Sequence, residues 1–167
     1  MSTADEFEAA YAQHLRAVSA YFSRRVEYRF VEDLAADAFA IAWQKRETVT
    51  PGEELPWLYR ISANLVSNHR RKQSVAVALM HVLSAPDSAP SAEEIVIGDL
   101  ALATAWKNLK PRDREVLALA VLEDLPITDI AVALEITANA ASIRLHRAKK
   151  SLAEMLTESE RSDRLAT

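Results

Sequence analysis

Only two glycines, Gly52 and Gly98, occur in the 167 residues, while alanine fills roughly one position in six. A backbone so poor in glycine has few places where it can reverse tightly, and alanine is the strongest helix former. A β-sandwich or a doubly wound sheet needs many tight turns, and a glycine-rich phosphate loop is missing. The fold class is therefore all-α: two small helical domains joined by a flexible linker, the second containing a helix-turn-helix.

Lys and Arg number 20 against 24 Asp and Glu, a formal charge of −4, and half the residues are hydrophobic. That balance belongs to a globular chain and not to a disordered one. There is no cysteine, so disulfides, a thiol nucleophile and cysteine-ligated metals are excluded. The first residues are acidic where a signal peptide is basic. The longest apolar run, Val116 to Leu122, is far too short to cross a bilayer. The expectation is a cytoplasmic protein without membrane insertion.

Charge placement says more than net charge. From Arg60 to Gln73 there are four basic groups and no acid, and Ile136 to Ala153 is a second acid-free stretch holding Arg144, His146, Arg147, Lys149 and Lys150. Between them lies Ser-Ala-Pro-Asp-Ser-Ala-Pro-Ser at 84–91, a composition that extends a chain and buries little. Two domains are expected, at 1–73 and 93–160, with a linker at 74–92 and a polar tail at 161–167.

Thr3 and Glu6 form the pattern of a capping box. Phe7, Tyr11, Leu15, Val18, Phe22 and Val26 follow at helical spacing, one apolar stripe. A second helix is predicted from about Val31 to Arg46. After the break at Pro51 and Gly52, a third runs from about Pro56 to about Lys72. On it Leu58, Ile61 and Leu65 face inward, while Arg60, Asn64, Asn68 and Arg71 line another face. In the second domain, Ser91 and Glu94 repeat the capping pattern before a helix ending near Leu109. Another helix spans Arg112 to about Leu122. Ile130, Ala131 and Leu134, a short break at Glu135-Ile136-Thr137, then Ala141, Leu145, Ala148 and Leu152 describe two helices crossing steeply, a helix-turn-helix. Thr137 can cap the second of these.

Acid-free basic helices can neutralise phosphates, though a solvated face has the same composition. Asn64 carries the paired donor and acceptor that match a base edge. Trp57 and Tyr59 stand beside that face, where aromatic rings could support unstacked bases or equally belong to the core. Asp33 and Asp37 suit an acidic patch for a protein partner, a helix N-terminus, or plain solubility. Catalysis or a di-metal site would need histidines at ligand spacing, and His14, His69, His81 and His146 are scattered. No cofactor or metal is expected, and an enzyme is the last choice.

Four segments, Phe7–Val26, Glu32–Trp43 (EDLAADAFAIAW), Leu55–Arg71 (LPWLYRISANLVSNHRR) and Leu109–Leu152, together resemble the extracytoplasmic-function class of bacterial RNA polymerase sigma factors over nearly all of residues 5 to 156. The resemblance implies that the first domain is sigma region 2. Its Asp-Leu-x-x-Asp-x-Phe helix, with Asp33, Leu34, Asp37, Phe39 and Trp43, would dock on the β′ clamp of core polymerase. Lys45, Arg46, Trp57, Arg60, Asn64, Asn68, Arg70 and Arg71 would contact the minus-10 element. The second domain would be region 4, with Arg112, Arg114, Thr137, Asn139, Ser142, Ile143, Arg144 and Arg147 at the minus-35 element. The implied partners are core RNA polymerase, through its β′ and β subunits, promoter DNA and an anti-sigma factor.

Four departures from the family pattern stand out. Ala36 occupies a place where glutamine is frequent. Glu135 replaces the usual glycine of the helix-turn-helix turn, and Pro126 a capping Ser or Thr. Ser142 stands where a basic residue is common, which shifts the reading of DNA towards Arg144 and Arg147. Two other readings use the same residues: a helix-turn-helix regulator that never joins polymerase, and an interaction protein whose helices clasp a regulator.

Overall fold

The computed structural model describes residues 3–83 and 100–165, and every regular element in them is helical. The chain divides into two compact units, Met1–Glu93 and Glu94–Thr167.

The first unit holds α1 (Ala4–Ser23), α2 (Val31–Gln44) and α3 (Glu54–Leu83), each packed against the other two. At the start of α1 the capping box is formed: the Glu6 amide donates to Thr3 Oγ1 at 3.2 Å, and the Thr3 amide to Glu6 Oε2 at 3.3 Å. The helix stops at Ser23, short of the predicted stripe's last member, yet Val26 is still buried in the turn that follows. Arg25 secures that turn, its guanidinium 3.6 Å above the Tyr21 ring and donating to the Tyr21 carbonyl at 3.1 Å. Burying a cation requires such partners.

Val18, Tyr21 and Phe22 of α1 meet Ala35, Ala38 and Ala42 of α2 and Trp57, Leu58 and Ile61 of α3 in the core. Alanine on the inner side of α2 lets its neighbours approach closely, and each large apolar side chain removed from water stabilises the unit by about 1.5–3 kcal/mol. Ser62 is also fully buried, and its hydroxyl donates to the Leu58 carbonyl at 2.8 Å. Beside the core, burial pushes the His14 imidazole below its ordinary value of 6.5, an effect Glu54 opposes.

Between α2 and α3, a short 3-10 turn at Arg46–Thr48 and the Pro51–Gly52 reversal form a loop. Val49 is its buried anchor, and Gly52 takes a φ of +87°. α2 thus ends at Gln44, before Arg46. α3 continues to Leu83, so residues 74–83, expected in the linker, are helical; at 30 residues it is about 45 Å long. The Ser-Pro segment at 84–91 and the start signal at Ser91 and Glu94 lie outside the described residues.

The second unit holds α4 (Leu100–Asn108), α5 (Pro111–Val121), α6 (Ile127–Leu134) and α7 (Ala138–Leu165). α4, α5 and α6 pack on α7, and α5 also packs on α6. Val116, Leu117, Leu119 and Ile130 fill the core, and Ala141 and Ala148 turn the inner side of α7 towards it with no exposed surface. The apolar run Val116 to Leu122 leaves the core before its end, since Val121 is 64% exposed. α7 runs on to Leu165, so the segment read as a polar tail from 161 is helical almost to its end.

The turn between α6 and α7 is closed by a left-handed residue that is not glycine. Glu135 has φ 53° and ψ 44°. Its amide donates to the Val132 carbonyl at 3.3 Å and that of Ile136 to Ala131 at 3.0 Å, the paired bonds of a Schellman ending. Thr137 then caps α7, its Oγ1 accepting from the Ala140 amide at 3.1 Å. Glutamate therefore keeps the turn geometry that glycine usually supplies. Pro126, ahead of α6, makes no side-chain cap bond, and its carbonyl accepts from Asp129 and Ile130.

Candidate nucleic-acid interfaces

Three helical faces carry the candidate residues. On α2, Asp33 and Asp37 are exposed one turn apart, with exposed Ala36 and Ala40 between and beyond them. Small side chains leave a shallow floor bordered by carboxylates. Leu34 and Phe39 lie inside, buried, so they shape this face from behind. Trp43 ends the face, 39% exposed. Its ring meets Phe7 edge-on at 5.0 Å, and the Arg46 guanidinium stacks on it at 4.0 Å while donating to the Trp43 carbonyl at 2.8 Å. Arg46, expected at DNA, is thus tied to the aromatic end of α2. Tyr11, part of the apolar stripe, is partly exposed and 4.7 Å from the Phe39 ring, extending the same cluster.

The α3 face presents Asn64, Asn68, Arg70, Arg71 and Lys72, all exposed, with Arg60 half-buried and Lys45 exposed at the end of α2. Arg71 donates to Asn68 Oδ1 at 3.2 Å, so the donors that Asn68 can still offer are those of its amide NH2. Arg70 reaches the Arg25 carbonyl at 3.5 Å. Trp57 does not belong to this face. It is 3% exposed, as is Tyr59, because both share the inward side of α3 with Leu58 and Ile61 and neither can stack on a base.

An aromatic group that sequence reasoning missed stands elsewhere: Tyr28, 88% exposed, in the turn between α1 and α2. Phe30 of the same turn packs edge-on against His69 of α3 at 4.5 Å, which places this turn beside the later part of α3. Nothing in the residue spacing around Tyr28 distinguishes it from the apolar positions on either side.

On α7, Asn139, Ser142, Ile143 and His146 recur at three- and four-residue steps and are all exposed, Ile143 strongly so. Lys149 and Lys150 follow, exposed, and Arg144 is half-buried at the side. His146 lies on the same face as Ser142 and Ile143 but was not among the candidate contacts; helical periodicity could have included it. Arg112 is exposed at the start of α5, whereas Arg114 is a strut: it donates to the carbonyls of Lys107 at 2.9 Å and Leu109 at 3.1 Å, closing the end of α4. Arg147 is exposed, with one amino group 3.5 Å from Asp113. Among the described residues no acidic, His or Cys cluster could hold a metal ion, and no helix is long and apolar enough to cross a membrane.

Two helical units, one with an acidic and a basic face and one with a helix-turn-helix, are the parts of a sigma factor. Residues 10–75 match Sigma-70 region 2 and residues 99–152 match Sigma-70, region 4. The chain is 30% identical over 160 residues to RNA polymerase sigma factor CarQ of Myxococcus xanthus, covering 93% of this chain and 92% of CarQ. It is 28% identical over 162 residues to ECF RNA polymerase sigma factor SigF of Caulobacter vibrioides, covering 91% and 88%. Its fold is similar to that of the sigma factor RpoE from Bartonella quintana, solved with the anti-sigma factor NepR, with a TM-score of 0.65, 22% identity and coverage of 91% and 97%. CnrH, solved with the cytosolic domain of CnrY, has a TM-score of 0.62, 22% identity and coverage of 94% and 91%. The chain belongs to the extracytoplasmic-function class of RNA polymerase sigma factors and is a promoter-recognising initiation factor. The reading as a regulator that never joins polymerase is not favoured.

Proposed function

We propose that the first unit docks on the β′ clamp of core polymerase through the α2 face and captures the minus-10 element with the α3 face, while α7 reads the minus-35 element. The observation that carries this assignment is the separation of charge on neighbouring helices. Asp33 and Asp37 repel phosphates and so suit a protein partner. The exposed Asn64, Asn68, Arg71 and Lys72 of α3 suit DNA. Of the docking residues, Asp33, Asp37 and Trp43 make contact, and Leu34 and Phe39 hold the surface in shape. Lys45 and Arg60 border the captured strand, and Arg70 approaches its backbone. On the second unit Thr137 and Arg112 border the groove, Asn139, Ser142 and Ile143 enter it, and Arg144 reaches its side.

Two weak DNA contacts held by one polymerase act together through effective concentration. Capture of extruded bases offsets an unstacking cost of a few kcal/mol each. The chain makes and breaks no bond in this process and works in the cytoplasm with polymerase. An anti-sigma factor covers the polymerase-binding faces in the inactive state, as the complexes of RpoE with NepR and of CnrH with CnrY motivate. The test is Asp37→Lys: core-polymerase binding falls by about tenfold or more. Run-off transcription falls with it, while thermal stability is kept. Binding that survives this charge reversal would place the docking surface outside the acidic α2 face.

A further inference from the structure

We propose that Asp113 is a positioning residue for promoter reading: a buried carboxylate on α5 that holds the Arg147 guanidinium of α7 in the orientation required at the DNA. This rests on the reading of α7 as the duplex-reading helix. The Asp113 side chain is 7% exposed and that of Arg147 66%, with Asp113 Oδ1 and Arg147 Nη2 3.5 Å apart. A carboxylate so covered has little water to solvate it and needs a countercharge instead. It is itself fixed in place, since it lies in the first turn of α5, where Pro111 sets the backbone and the Asp113 amide donates to the Lys110 carbonyl at 2.9 Å. The next residue, Arg114, bonds α5 to the last carbonyls of α4. Asp113 therefore projects from a braced corner onto an exposed side chain.

Arginine reads a guanine edge or a phosphate through a planar fork of donors, and an untethered arginine must give up rotamer freedom to do so. One amino group held by Asp113 removes much of that freedom beforehand and leaves the other donors for DNA. The carboxylate also cancels the charge that Arg147 would otherwise offer to any phosphate. The pair thus gives up general attraction to DNA and gains selectivity. Ser142, small and neutral one turn and a residue before, leaves Arg147 a larger share of the recognition.

The two consequences separate positioning from a merely structural tie between helices. Holoenzyme reconstituted from core polymerase and the full chain is titrated with a promoter duplex found by run-off transcription, and with the same duplex carrying a scrambled upstream element. With Asp113→Asn, the preference for the intact element falls by about tenfold, while affinity for the scrambled duplex is unchanged or rises. Arg147→Ala lowers the preference as well, and the double variant is no worse than Arg147→Ala alone. Arg147→Lys, at an exposed position that does not threaten the fold, keeps the scrambled-duplex affinity and loses the preference. An Asp113→Asn protein with wild-type preference overturns the proposal. So does one that loses both affinities in step with its thermal midpoint, or an Arg147→Lys protein that discriminates normally. If the wild type itself ignores the upstream element, the reading of α7 fails, and the proposal fails with it.

Discussion

Glu135 holds a conformation that costs a side chain roughly 1–2 kcal/mol relative to glycine. Its amide is committed to the Val132 carbonyl and that of Ile136 to Ala131, so the turn cannot relax without losing both bonds. Glu135→Gly removes the strain but adds freedom to the unfolded chain, which returns part of the gain. The expected outcome is a second unit more stable by about 0.5–1 kcal/mol, read from the denaturant midpoint. A midpoint that stays put or falls would mean the glutamate side chain holds the turn through bonds of its own. Thr137→Ala, two positions on, works in the opposite direction, with a loss of about 1 kcal/mol from the missing cap.

Among the elements, α3 is where sequence and structure agree in kind and differ in extent. The spacing of Leu58 and Ile61 marks its inner side, and both are buried. Spacing left Trp57 open between face and core because its position admits either role; only packing against the other helices decides it. The helix's length was hidden for another reason. Between Lys72 and the Ser-Pro segment there is no Gly and no Pro, so nothing in the sequence marks where this helix stops. On α7 the inner positions Ala141 and Ala148 were legible from their spacing, whereas the engagement of Arg114 with carbonyls of α4 depends on a corner that no periodicity encodes. The α3 face yields a direct test. Asn64→Ala and Asn68→Ala each lower open-complex formation by about tenfold at a promoter carrying both elements. Binding of the upstream duplex alone is unaffected. Permanganate reactivity of unpaired thymines measures the first and anisotropy the second; equal losses in both would place these residues outside minus-10 capture.

For the whole molecule, a net charge of −4 limits what the free chain can do with a polyanion. The basic faces on α3 and α7 are local, and long-range repulsion from the remaining acids opposes them. Docking of Asp33 and Asp37 on polymerase would cover two of those acids and hold both DNA-reading units at once. The full chain alone should therefore bind a promoter duplex at least about a hundredfold more weakly than the holoenzyme does. The gap should widen as salt is lowered, since repulsion from those acids is then less screened and the complex with more phosphate contacts gains more from counterion release. Comparable affinities at physiological salt would show that one unit suffices for recognition.

In the loop between α2 and α3, Val49 is the buried anchor and Gly52, at φ +87°, would be strained by any side chain, while Lys45, Thr50 and Pro51 are exposed. Side chains there can change without repacking the three-helix core. If this stretch borders the captured minus-10 strand, as proposed through Lys45, a lineage of such factors would drift from one set of genes to another by rewriting it, with its hold on the transcription machinery intact.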